Sequence, residues 1–329
     1  MPGPGMTETA KFERIALIGL GLIGSSLARA IKARLPGSRV VVSDHAEAVR
    51  RRAGEIGLGD EIAEDAGQAV VDADLVILCV PVGATASLGA AIAPALKPGA
   101  VLSDVGSVKG AVVAALAPLV PDGVHLVPAH PVAGTEYSGP DSGFATLFEN
   151  RWCILTPPEA ADPVAVAKMG AFWQALGANV ELMSPAHHDL VLAITSHVPH
   201  LIAYNIVGTA ADLEEVTASE VIKFSAGGFR DFTRIAASDP TMWRDVFLNN
   251  RDAVLEMLGR FNEDLSALQR MIRWGDGDGL FELFTRTRAI RRNIIASGQE
   301  TSAPDFGRGT SAPPASGANA KAAVRENKN

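Results

Sequence analysis

Residues 15–24 read Ile-Ala-Leu-Ile-Gly-Leu-Gly-Leu-Ile-Gly and run into Ser25-Ser-Leu-Ala-Arg-Ala-Ile-Lys-Ala33. The first four residues form an apolar run of strand length, and the last nine favour helix. Between them stand Gly19, Gly21 and Gly24. At that spacing one glycine makes a tight turn, one lets the backbone approach a pyrophosphate, and one lets helix pack closely on strand. The helix start presents unpaired N–H groups and the positive end of its dipole to an anion. Asp44 follows 20 residues after Gly24, closing the next apolar run. A carboxylate there accepts from the adenosine ribose hydroxyls and repels a 2′-phosphate. NAD is therefore expected over NADP. Arg50, Arg51 and Arg52 keep NADP open, their alternative being a solvated helix face. The expected cofactor set is Gly19, Gly21, Leu22, Ile23, Gly24 and Asp44, joined by Val80 and Pro81 beyond a later strand.

Working outward, apolar runs alternate with Ala-rich helical stretches from Arg14 to about Met183. Strands are expected at Arg14–Ile18, Arg39–Ser43, Leu75–Val80, Ala100–Ser103, Val124–Val127, Trp152–Leu155 and Asn179–Leu182. Several lack polar alternation, as strands covered by helices on both faces do. The pattern gives an α/β Rossmann doubly wound sheet. Past Ser184 the strand signals stop. Ser184-Pro185 and Asp239-Pro240 are helix starts and Gly275 a stop. Helices are expected over His187–Gly208, Leu213–Ser225, Pro240–Trp274 and Asp278–Ala296, an all-α second domain. The expected divisions are 1–12 disordered, 13–183 nucleotide-binding, 184–298 helical, and 299–329 a disordered tail. In 301–329, 18 of 29 residues are Ala, Gly, Pro, Ser or Thr, too little apolar surface to offset ordering.

Composition narrows the function. A net charge of −8 lacks the basic face that nucleic acid requires, yet leaves room for a small anion held by a few local cations. No apolar run reaches the ~18 residues of a membrane span, and no leader precedes the domain, so the chain is expected to be cytoplasmic. Cys79 and Cys153 fit two buried thiols better than a disulfide, which the sequence does not exclude. His187-His188-Asp189 resembles a metal cluster. Neighbouring helical residues point to different faces and do not converge on one ion, so no metal is expected.

Four segments carry chemistry: Ser103-Asp-Val-Gly-Ser107-Val-Lys109-Gly, His130-Pro-Val-Ala-Gly-Thr135-Glu136, Thr195-Ser-His197-Val-Pro-His200, and Phe229-Arg-Asp-Phe-Thr-Arg234-Ile-Ala, with Asp239-Pro-Thr-Met-Trp243-Arg-Asp beyond. The first two lie outside the C-terminal ends of strands, where ligands bind in such sheets. Together these segments resemble the prephenate dehydrogenase family, which includes arogenate and cyclohexadienyl dehydrogenases, over residues 13–297.

The resemblance implies a homodimer joined through its helices, with prephenate or arogenate oxidised by NAD and decarboxylated in tyrosine synthesis. It implies His130 as base and Ser107 as hydrogen-bond partner of the substrate hydroxyl. An imidazole suits proton abstraction near neutrality; the plain alternative for His130 is a structural histidine before a proline turn, and for Ser107 a helix N-cap. Arg234 is expected to grip the substrate carboxylate, as a guanidinium can do bidentately, or else to pair with Asp231 or Asp239. Arg230 and Glu136 are expected as a gating ion pair. His200, Ser196, Thr135 and Trp243 are expected around the substrate, with a core role the default for His197 and an ordinary helix-face role open for Trp243. Two other readings remain: a β-hydroxyacid dehydrogenase type with a helical second domain, and a non-catalytic NAD-sensing dimer.

Overall fold

The computed structural model describes residues 11–135, 137–212 and 227–296. Its first half is a six-stranded parallel sheet: β1 (Arg14–Ile18), β2 (Arg39–Ser43), β3 (Glu61–Ile62), β4 (Leu75–Leu78), β5 (Val101–Asp104) and β6 (His125–Leu126), in the order β3-β2-β1-β4-β5-β6. Ile15 of β1 lies opposite Val40 on one side and Leu75 on the other. The order reverses between β1 and β4, which places a crevice at the C-terminal ends of those strands. Because β1, β2 and β4 are buried on both faces, alternate residues feed two separate cores. Ile15, Leu17, Val40 and Val42 join one, with Phe148, Phe172 and Trp173; Ala16, Ile18, Val41 and Val76 join the other.

The remaining strands β7 (Ala129–Pro131), β8 (Trp152–Leu155) and β9 (Asn179–Leu182) form a small separate sheet, β7 antiparallel and β9 parallel to β8. Five helices accompany the strands: α1 (Leu22–Arg34), α2 (Glu47–Glu55), α3 (Ala66–Val70), α4 (Thr85–Ile92) and α5 (Gly110–Leu116); α6 (Pro163–Ala175) covers the small sheet. Beyond β9 the chain is helical: α7 (Pro185–Leu192), a π turn (Ala193–His197), α8 (Val198–Asp212), α9 (Gly227–Thr233), α10 (Pro240–Asn249), α11 (Arg251–Trp274) and α12 (Gly277–Ala296). Ser184 and Asp239 cap as expected, accepting from the His187 and Met242 amides. Gly275 ends α11 at φ +70°, a conformation a side chain resists.

The structure corrects several sequence expectations. Arg14–Ile18, Arg39–Ser43, Trp152–Leu155 and Asn179–Leu182 stand as expected, but the last two leave the main sheet for the small one. β3 has two residues and β7 contains Pro131, so neither gives a periodic signal. The expected helix over Pro240–Trp274 is broken at Asn250, whose φ −112° and ψ 33° leave the helical region. Residues 11 and 12 are ordered: Phe12 is 1% exposed and packs edge-on against Phe172, with the Lys168 ammonium over its ring. Among the described residues, Pro185–Asp212 is long and apolar enough to cross a membrane by length and composition, with mean hydropathy 1.5 over an 18-residue window, unlike the expectation that no run reaches that length. The expected helix over Leu213–Ser225, Glu136 and the tail from 299 lie outside the described residues.

Candidate active site

The glycine turn divides its labour as the spacing implies. Gly19 sits at φ +98°, and a Cβ there would overlap the Cys79 carbonyl; a Cβ on Gly24 would overlap the Gly19 carbonyl. A Cβ on Gly21 would meet the Ser138 hydroxyl at 3.8 Å, an ordinary contact. No side chain caps α1, so its first-turn amides keep the positive pole that an anion needs. Asp44 accepts from the Leu20 and Ala46 amides at 2.8 and 2.9 Å. A carboxylate has further lone pairs for ribose hydroxyls. Val80 and Pro81 follow β4 across the crevice, ahead of the turn Val82–Ala84.

The three arginines after Asp44 are no uniform solvated face. Arg50 donates to the carbonyls of Asp44 and His45. Arg52 holds Asp141 through both its Nε and an end nitrogen, and bonds Glu55 as well. Arg51 is exposed.

His130 is carried on β7, where its backbone pairs with Ile154. Its Nδ1 lies 2.8 Å from His188 Nε2, and His188 Nδ1 lies 2.8 Å from Asp189 Oδ1. The carboxylate of Asp189 also takes the Lys109 and Gly110 amides, each at 2.8 Å. Those bonds cap α5 from 80 positions away and join the two halves of the molecule. They fix every proton in the chain. An ionised Asp189 only accepts, so His188 donates from Nδ1 and its Nε2 is bare. His130 must then donate from Nδ1, which leaves His130 Nε2 as a free acceptor. Burial would raise the Asp189 carboxyl, but His188 and the two amides hold it below its ordinary value. Burial, with His188, Lys109 and His197 nearby, pushes His130 well below the ordinary imidazole range, so it stands neutral at physiological pH.

Beneath His130, the Lys109 ammonium bonds Asp104 and the Ala129 carbonyl, all buried. Burial lifts the Asp104 carboxyl and lowers the Lys109 ammonium. Ser107 is half-buried on the loop between β5 and α5. It is not the N-cap of α5, whose first amides are taken by Asp189.

The helical half brings His197, His200 and Trp243 together. His200 stacks on Trp243 with ring centres 3.6 Å apart, and His197 meets the same indole edge-on. His200 Nδ1 donates to the Ser196 carbonyl. Burial lowers the His200 imidazole, its bond to the Ser196 carbonyl opposes that, and the Arg234 charge lowers it further. His197 is fully buried, as its default role requires, and burial pushes it down to about 4. Thr135 accepts from the Tyr137 amide. Arg230 is exposed and lies 3.9 Å from Asp231; its expected partner Glu136 is outside the described residues.

Sequence reasoning missed His188, Asp189, Lys109, Asp104 and Asn250 as site residues. The argument that neighbouring helical residues diverge fails for His188 and Asp189, whose side chains turn to meet each other. A His-Asp pair at the opening of an apolar helix was the available signal.

Comparison with known proteins identifies the family. The family pattern described as "Prephenate dehydrogenase, nucleotide-binding domain" matches residues 27–182, and "Prephenate dehydrogenase, dimerization domain" matches residues 184–286. The chain belongs to the prephenate dehydrogenase family. It is 46% identical over 280 residues to a cyclohexadienyl dehydrogenase from Zymomonas mobilis, covering 85% of this chain and 95% of that one. Identity to a prephenate dehydrogenase from Bacillus subtilis is 34% over 283 residues, 86% of this chain and 76% of the relative. The crystal structure of an Aquifex aeolicus prephenate dehydrogenase, in complex with hydroxyphenyl propionate and NAD+, superposes with a TM-score of 0.79 at 31% identity. That match spans 86% of this chain and 99% of the other. The fold is thus shared with that enzyme over most of this chain.

Proposed function

We propose that this protein is an NAD-dependent dehydrogenase that oxidises and decarboxylates prephenate, arogenate or both in tyrosine biosynthesis. The observation that carries the reading is the Asp189–His188–His130 chain, which leaves one bare, neutral imidazole nitrogen in a member of this family. The glycine turn fits NAD, since Gly19 and Gly24 admit the tight strand-to-helix turn that no side chain would allow, and Asp44 stands at the end of β2. NAD supplies the hydride acceptor.

His130 Nε2 takes the proton of the substrate's C4 hydroxyl as hydride leaves C4. The ketone formed draws in the electron pair left when the C1 carboxylate departs as CO2, and the ring becomes aromatic. A positioned base of this kind contributes roughly 10²- to 10⁴-fold. As His130 gains charge, its Nδ1–H bond to His188 strengthens, and Asp189 answers that charge through His188. Ser107 bonds the substrate hydroxyl, Arg234 the carboxylate, and His200, Ser196, Thr135 and Trp243 surround the side chain. Glu136 and Arg230 form the pair at the entrance. NAD is favoured over NADP because the Asp44 carboxylate would meet the 2′-phosphate, while Arg50 and Arg52 are engaged elsewhere.

The protein acts as a homodimer. Ile272, Trp274, Phe281 and Phe284 are 68%, 75%, 73% and 55% exposed on α11 and α12, more apolar surface than a monomer usually presents. Its two cysteines are free thiols, which suits the reducing cytoplasm.

Turnover is tested by following reduced nicotinamide and CO2 with prephenate and arogenate, each with NAD and NADP. The expected result is turnover of at least one substrate, with kcat/KM at least tenfold higher for NAD. Failure of both substrates with both cofactors overturns the reading. Sedimentation at micromolar concentration is expected to show a dimer.

A further inference from the structure

Asn250 stands at the break between α10 and α11, buried, its N–H bonded to the Val246 carbonyl and its own carbonyl to the Val254 amide. Its side-chain amide nitrogen lies 2.8 Å from the Asp189 carbonyl and 3.0 Å from His197 Nδ1. A carbonyl oxygen only accepts, so the contact with Asp189 decides which end of the amide is nitrogen. The second N–H of that nitrogen then points at His197 Nδ1, which must be the bare nitrogen of its ring. The ring proton therefore sits on Nε2. Nε2 forms no hydrogen bond among the described residues.

We propose that Asn250 is a positioning residue for the reaction, whose single amide holds His197 as the Nε2–H tautomer and anchors the Asp189 backbone behind His130. The inference rests on the dehydrogenase reading above. Both arms of the amide lead to the same loop. Through Asp189 it steadies the Lys109 and Gly110 amides, and through His197 it backs the Trp243 indole that packs on Val108. Val108 of that loop is buried against Trp243 and Val246 of α10. Asn250 thus ties the residue proposed to bond the substrate hydroxyl to the chain that prepares the base. The helix break is the local cost of placing an amide there.

Asn250→Asp tests this at unchanged volume. It replaces the donor by an acceptor, sets an oxygen against the Asp189 carbonyl, and favours a proton on His197 Nδ1. We expect kcat to fall at least tenfold while KM for NAD stays within twofold. The ¹⁵N spectrum of His197 should show an Nε2-protonated neutral ring in the native protein and lose that signature in the variant. A kcat within threefold of native overturns the proposal, as does a native His197 protonated on Nδ1. The native spectrum requires neither turnover nor a folded variant. If prephenate and arogenate both fail as substrates, the dehydrogenase reading falls while the spectrum still decides the tautomer.

Discussion

At the His130 end of the cleft, His188 has both ring nitrogens bonded, His130 has one, and every partner is a protein group buried between the two halves. At the Arg234 end the side chains of Arg230 and Arg234 are exposed, and Arg230 lies 3.9 Å from Asp231. The contrast follows from what each end must do. A base is useful only in one tautomer and one protonation state, and those are fixed by partners and by exclusion of water. A guanidinium keeps its charge in any surroundings and recognises a carboxylate from the surface. The protein gathers its buried, hydrogen-bonded polar groups at the His130 end.

Substitutions and pH can break or sharpen that contrast. The largest effect is expected from His130→Asn, which should lower kcat by roughly 10²- to 10⁴-fold while NAD affinity, measured by fluorescence titration, is retained. A variant that keeps a tenth of native kcat would move the base elsewhere. Next comes the acid stability of the buried end. His197 titrates near 4 in the folded protein against an ordinary 6.5, so the unfolded chain takes the proton first. Stability is therefore whole above about 6.5 and lost as pH falls towards 4, by roughly 3 kcal/mol from this one ring. His130 and His188 are also lowered and act in the same direction. Denaturant midpoints at pH 7 and 5 measure this, and equal midpoints would contradict a neutral buried cluster.

The exposed end should yield smaller effects of a different kind. Arg234→Lys keeps the charge and loses the fork, so the substrate KM should rise about tenfold with kcat within threefold. A fall in kcat with KM unchanged would place Arg234 in the chemical step instead. The smallest effect is expected at Arg52. Its bond to Asp141 is well formed but solvent-exposed, and such pairs contribute little. Arg52→Met should change KM for NAD by less than threefold.

The sequence made the cofactor half legible because its information is local. Gly19, Gly21, Gly24 and Asp44 lie on consecutive elements, and each role follows from the turn they share. His130 and Arg234 are singled out by their motifs. The relay is not, since His188 meets His130 from 58 positions away and no spacing rule spans two domains. Asn250 was hidden for another reason. Apolar residues continue at helical spacing on both sides of it, from Trp243 and Val246 to Val254 and Met257, so periodicity runs straight through the break. Phe12 was misjudged because the polar residues around it outweighed one ring that finds Phe172 only in three dimensions.

The π turn at Ala193–His197 has a consequence for how the two ends came to share one continuous helical segment. A turn of this kind adds one residue to a helix, and one residue turns everything beyond it by about 100°. Before the turn, His188 and Asp189 face the nucleotide-binding half; after it, His200 faces Trp243. Without that added residue, regular winding would aim only one of these sets correctly. Five residues of irregular backbone thus let one stretch of chain address two audiences, the proton on one side and the substrate's tail on the other.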